Sequence, residues 1–187
     1  MKDDNRGFSL VELIVSLAIL SIIIVAVGGF LSAGSGAYRS VSANVSLQIE
    51  SQLAMNQIKD YAVDCNGGIC FAGNTLYILN QDADGSYTEH VFGLDSAATS
   101  INYTKYTGVT SVVDKTKAEE GLMTGHVTGF SISGTGGEKP TCDAINVTIS
   151  FSRFGKTYEG VETIALRNSP KTAATESDLI SAVIPSA

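Results

Sequence analysis

Arg6-Gly7-Phe8-Ser9-Leu10-Val11-Glu12-Leu13-Ile14-Val15-Ser16-Leu17-Ala18-Ile19-Leu20 opens an apolar run that continues through Ser21-Ile22-Ile23-Ile24-Val25-Ala26-Val27. No Lys, Arg, Asp or Glu occurs from Leu13 to Tyr38. A helix needs about 20 apolar residues, at about 1.5 Å each, to cross a bilayer, and this run is long enough. Glu12 lies inside it, four residues after Phe8. A carboxylate at the centre of the hydrocarbon costs about 2.5–3.5 kcal/mol on insertion scales, and less near the interface. A plain anchor has no use for that cost, whereas a helix that must later meet a cationic partner does.

Working outward, Lys2 and Arg6 stand with Asp3 and Asp4 ahead of the run. The positive-inside rule counts bases and largely ignores acids, so the N terminus is expected in the cytoplasm and the chain beyond about residue 31 outside. A secretory signal has a shorter apolar core and a small-residue cleavage site. Ala33-Gly34-Ser35-Gly36-Ala37 imitates such a site and keeps a secreted or membrane-anchored domain open as the alternative.

Gly7, Phe8, Ser9, Leu10, Val11 and Glu12, followed by an unbroken apolar helix, resemble the signature of the type IV pilin family, which includes the pseudopilins. The likeness covers about the first 35 residues. It implies cleavage by a prepilin peptidase between Gly7 and Phe8 and N-methylation of Phe8. It also implies that the Glu12 carboxylate attracts the N-terminal ammonium of a neighbouring subunit, because pairing offsets the cost of a buried charge. The partners implied are other pilin subunits, the peptidase and a membrane assembly platform, and no cofactor is expected. A type IV pilus, a competence pilus and a type II secretion pseudopilus all fit, with a minor subunit favoured over a major one. A binding subunit for adhesion or DNA uptake is the reading from another class.

The 187 residues carry a net charge of −7 and no Trp. An acidic surface does not draw phosphate backbones broadly. Lys105-Tyr106 and Lys115-Thr116-Lys117 are the thin evidence for a basic, aromatic patch. The expected organisation is a leader over 1–7, an assembly helix over 8–31 and an amphipathic helix over 32–64. A β-rich domain over 65–168 and a flexible tail over 169–187 follow. The fold class expected is α+β, a long N-terminal helix on an antiparallel sheet.

Tyr38 to Tyr61 reads as helix. Val41, Val45, Ile49 and Leu53 recur every fourth residue, a spacing that predicts the face laid on the sheet. Gly28-Gly29 interrupts the apolar half; each glycine costs a helix about 1 kcal/mol, so a soft point or a close helix contact is expected there. Strands are expected at Thr75–Leu79, Tyr87–Phe92, Ser100–Tyr106, Val109–Val113, Val127–Ser133, Ile145–Phe151 and Thr157–Leu166. Ile145, Val147, Ile149 and Phe151 alternate strictly, marking one buried face. The turn at Phe154-Gly155 predicts their hairpin with the last strand. Val161 breaks parity with Tyr158 and Ile164, which a bulge near Gly160 would reconcile.

Cys65 and Cys70 bracket Asn66-Gly67-Gly68-Ile69, with Cys142 far along the chain. Outside the membrane, Cys65 and Cys70 could close a small loop; pairing with Cys142, free thiols, or a metal completed by His90 or His126 are the other readings. Asn80, Asp82 and Asp84 followed by Gly85 resemble the start of a calcium loop, but Val91 stands where the closing Glu belongs. A polar hairpin turn explains the same residues. Two histidines and no nucleophile motif or phosphate loop give no candidate catalytic residue.

Overall fold

A computed structural model of the chain describes residues 9–135 and 141–185. The chain divides into two compact units, the first ending at Ser42 and the second beginning at Ala43. The proposed leader, Gly7 and Phe8 among it, lies outside the described residues.

From Leu10 on, the first unit is helix. It belongs to α1, Leu10–Ala62, whose apolar stretch has a mean hydropathy of 2.9 and is long enough to cross a membrane. Two serines in the apolar stretch turn their hydroxyls back onto the helix. Ser16 Oγ donates to the Glu12 carbonyl at 2.7 Å and Ser21 Oγ to the Ala18 carbonyl at 2.7 Å, which satisfies polar groups where water is absent. The helix runs unbroken through Gly28 and Gly29.

The second unit is α+β. Among the described residues nine strands follow α1: β1 Gly68–Ala72, β2 Thr75–Gln81, β3 Tyr87–Leu94, β4 Ser100–Thr107, β5 Thr116–Gly125, β6 Val127–Thr135, β7 Ala144–Arg153, β8 Lys156–Ala165 and β9 Lys171–Ala173. A second helix, α2, spans Glu176–Val183. One sheet has the order β5-β4-β3-β2-β1-β9 and the other β6-β7-β8. Every pairing is antiparallel except β1 with β9.

Alternation along the strands explains the layers. Leu76 and Ile78 of β2 join the main core with Leu47, Met55 and Ile58 of α1 and Ile145, Val147, Ile149 and Phe151 of β7. Leu79 points the other way, into a smaller core with Cys70, Val109, Leu179 and Ile180. The larger sheet therefore has α1 and the small sheet over one face and α2 over the other.

Four expectations change. First, Val45, Ile49 and Leu53 do not face the sheet; Ala43, Leu47, Ser51, Ala54, Met55, Ile58 and Ala62 do. The small residues on that face let the helix come close to the strands, and regular spacing alone could not show which face would be covered. Second, β7 and β8 pair without a bulge, from Ala144 with Ala165 to Arg153 with Lys156. Gly160 is itself the inward residue, and Val161 is 63% exposed. Third, Val109–Val113 is not a strand. Gly108 has φ +61, Val109 N–H donates to the Tyr87 carbonyl, and Thr110 N–H to the Asp114 carbonyl, closing a turn. Fourth, the described part of the segment expected to be a flexible tail carries regular structure: β9 extends the sheet, and Thr175 caps α2 by accepting from Asp178 N–H at 3.2 Å. Burial of Leu179 and Ile180 holds it down.

Candidate assembly and processing segment

Glu12 sits in the first turn of α1, which opens with Leu13 N–H donating to the Ser9 carbonyl at 3.1 Å. Helix N–H groups without partners and the aligned peptide dipoles favour a carboxylate there. Its side chain is exposed, as is every apolar neighbour from Leu10 to Leu31. The local chemistry is a single negative charge at the start of an otherwise uncharged helix surface. Such a surface can bind other apolar helices along its length and one cation at its end.

The profile of the prokaryotic N-terminal methylation motif matches residues 2–28. Over those residues the chain carries the N-terminal signature of type IV pilin-like proteins. The motif is that of precursors processed by prepilin peptidase and implies other pilin subunits as partners, and the apolar helix that follows is long enough to anchor the chain in a membrane near the N terminus. No curated protein is a significant match to this chain.

The other residues singled out in the pilin-like sequence are held by the fold in ways that leave little for a ligand. Cys65 and Cys70 are not joined. Cys65 belongs to the main core and donates weakly to the Gly68 and Leu79 carbonyls, each at 3.5 Å, whereas Cys70 lies in the smaller core across the sheet. All three cysteines are buried free thiols. Burial pushes the Cys65 thiol up to about 12 and the Cys70 thiol up to about 11, the opposite of a reactive thiolate.

Asn80, Asp82 and Asp84 form a hairpin turn. Asn80 Oδ1 accepts from the Asn66 N–H at 3.3 Å. Asp82 Oδ2 accepts from Thr88 Oγ1 at 2.6 Å, and Asp84 Oδ1 from Ser86 N–H at 2.9 Å and Ser86 Oγ at 2.7 Å. These bonds, the Ser86 hydroxyl first, hold the Asp84 carboxyl below its usual range. One oxygen of each aspartate is taken by donors of the turn itself, which is the bonding of a polar hairpin loop.

The thin basic patch is also absorbed. Lys115 is almost buried, with its ammonium bound to Glu89 and 2.6 Å from Glu176 Oε1, over the Tyr106 ring at 4.2 Å. Lys117 pairs with Glu120 at 2.7 Å. Glu89 is fully buried, and its Oε1 has no hydrogen-bond partner among the described residues. Burial raises the Glu89 carboxyl above its usual range, with Lys115 opposing. Sequence reading missed this clamp because its three residues lie on β3, on the approach to β5 and on α2. Nothing in their spacing announces it.

His90 is buried against Tyr61, ring centroids 4.1 Å apart, with Nδ1 2.9 Å from Tyr103 Oη. His126, at φ +57, places Nδ1 3.2 Å from Glu50 Oε2. Both histidines are spoken for by packing or pairing.

Proposed function

We propose that this chain is a structural subunit, a minor pilin or pseudopilin, that works by assembly and carries out no catalysis. The peptidase cuts between Gly7 and Phe8, and the new Phe8 amine is methylated. The N terminus lies on the cytoplasmic side, and the β-rich domain lies outside the membrane. A membrane platform then draws the subunit into a filament, where Glu12 pairs with the Phe8 ammonium of a neighbour.

One observation carries this reading: the methylation motif runs into a continuous helix on which Glu12 is the only charged residue before Arg39. Apolar burial along such a helix gains about 25 cal/mol per Å² of surface removed from its surroundings in water. Between lipid and a helix bundle, packing and the single ion pair become the selective terms. The test is mass spectrometry of the mature N terminus from membranes and from sheared surface material. An N-methylated Phe8 supports the reading. An uncut Met1, or a start near Gly34 or Tyr38, removes it in favour of an anchored or secreted domain.

A further inference from the structure

The turn between β7 and β8 holds a large apolar ring where neither the backbone nor the core has use for one. Arg153 pairs with Lys156, so the loop is Phe154-Gly155 alone. Phe154 has φ +50 and Gly155 φ +73. Positive φ at both central residues is the type I′ geometry, which favours Asn-Gly and strains a bulky side chain. Phe154 is also 81% exposed. Among the described residues from Ala43 on, it is the one exposed aromatic side chain.

We propose that Phe154 seats this turn in the headgroup layer of the phospholipid bilayer that α1 enters, with Arg153 and Lys156 meeting lipid phosphates. The proposal rests on that part of the reading above that puts α1 in a membrane. It adds a contact of the β-rich domain with the same membrane.

Position favours lipid as the partner. Arg167 N–H donates to the Val63 carbonyl at 3.0 Å, Lys59 pairs with Glu162 at 2.7 Å, and Gly160 packs on Ser51. β8 therefore runs in the direction of α1, and the turn ahead of it lies at the end where the chain enters the domain. Gly160 to Gly155 covers about 16 Å at about 3.3 Å per strand residue. Ser51 to Ala43 covers about 12 Å of helix, so the turn reaches the level of Ala43. Tyr38 and Arg39 end the uncharged stretch that begins at Leu13. Such an aromatic-basic pair settles at a membrane–water interface. Ala43 follows Arg39 by four residues, at most about 14 Å of chain.

The turn repeats that pair. The Arg153 guanidinium carbon stands 5.3 Å from the Phe154 ring centroid, and Lys156 is exposed beside it. Apolar rings with Lys or Arg alongside are what buries itself in a headgroup layer. The nearby acids are engaged: Glu50 takes Arg153 at 3.6 Å and His126 at 3.2 Å, and Glu159 accepts from Ser150 Oγ at 3.5 Å. An anionic membrane repels most of a chain with net charge −7, so a ring flanked by bases is the point of closest approach.

The chain has no Trp, so Phe154→Trp and, in a second chain, Val113→Trp each introduce a single fluorescent reporter. Val113 is 92% exposed and belongs to the opposite end of the domain. There Val109 N–H donates to the Tyr87 carbonyl, Tyr87 pairs with Gln81, and Gln81 N–H donates to Asn66, just past α1. Both full chains are reconstituted in vesicles of phosphatidylethanolamine and phosphatidylglycerol with brominated acyl chains, and both are expected to float with the vesicles. The Phe154→Trp emission is expected to shift to the blue and to be quenched by the brominated lipid about threefold more than that of Val113→Trp. Iodide in the water is expected to do the reverse. Phe154→Asn, in detergent, is expected to unfold at the wild-type temperature or above it, because Asn suits the turn.

If the Phe154→Trp chain floats but is quenched by iodide as fully as Val113→Trp, and not by lipid, the inference is overturned and α1 stands as an anchor. A reporter shielded from both quenchers does the same and points to a contact between copies of the chain. A lower melting temperature for Phe154→Asn also overturns it, since the ring would then serve the fold. Chains that do not float with the vesicles overturn both the inference and the anchor.

Discussion

Gly160 of β8 lies against Ser51 of α1 so closely that a methyl group at Gly160 would come 2.1 Å from Ser51 Oγ. The helix reaches the sheet at this point because one strand residue has no side chain. Gly160→Ala is expected to destabilise the domain by about 1–3 kcal/mol through overpacking, lowering Tm by several degrees. Ser51→Ala removes the clashing oxygen, and the double variant is expected to regain most of the loss. Equal melting temperatures for wild type and Gly160→Ala would show that the helix is free to lift.

Lys115 holds one ammonium between two acids, one of them fully buried. Lys115→Met is expected to cost about 3–5 kcal/mol, because it leaves the Glu89 carboxylate buried without a cation. Adding Glu89→Gln is expected to recover part of that. Hydrogen exchange over 171–183 reports the effect locally: protection there should fall in the single variant before the rest of the domain opens. Unchanged exchange across α2 would mean that apolar packing alone fixes the helix.

His90 gives the domain an acid limit. Burial, aided by Lys105, holds its imidazole down to about 4, from an ordinary 6.5. Above pH 6.5 it is neutral folded or unfolded and favours neither state. As pH falls from 6.5 towards 4, the unfolded chain takes up a proton that the folded one resists, and stability is lost. The full loss is roughly 3 kcal/mol. Glu89, raised by burial, works in the opposite sense: it takes its proton more readily folded, relieving part of the loss as pH falls. His90→Gln is expected to flatten the Tm profile between pH 4 and 6.5. A profile identical to wild type would place the acid limit elsewhere.

Glu12→Ala should separate insertion from assembly. The variant keeps the apolar run and the residues flanking the cut, so insertion and cleavage are expected to be normal. Incorporation into filaments is expected to be poor. Quantifying Phe8-terminated protein in membrane and sheared fractions checks this, and wild-type recovery in the sheared fraction would remove the pairing role proposed for Glu12.

What could be read from the sequence followed strong local signals. The β7–β8 hairpin was legible because Ile145 to Phe151 alternate without interruption and Gly155 marks the turn. The α1 helix was legible from its length and composition. Its orientation was not: α1 carries apolar residues on two sides, and only the positions of Ala43, Ser51 and Ala54 against the strands decide which side faces inward. β5 was missed because Thr116 to Gly121 are exposed on both faces of an edge strand, so no alternation marks them. β9 was missed because its pairing with β1 is non-local, and the Lys115 clamp for the same reason; β1 pairs locally with β2 but is only five residues long and buried along its first three, so no alternation marks it. The candidate processing residues, Gly7 and Phe8, rest on the motif alone and lie outside the described residues.

The parallel pairing of β1 with β9 has a consequence for how the polypeptide is made. Gly68 meets Lys171 and Cys70 meets Ala173, so a strand laid down early waits for roughly a hundred further residues before its second edge is covered. At a synthesis rate of about 5–20 residues per second, β1 stays bare along one side for about 5–20 s, and Leu79 lacks its α2 cover for as long. A nascent chain in that interval has a sheet edge open to any strand that passes, which makes the arrival of residues 171–183 the step that ends its vulnerability to mispairing.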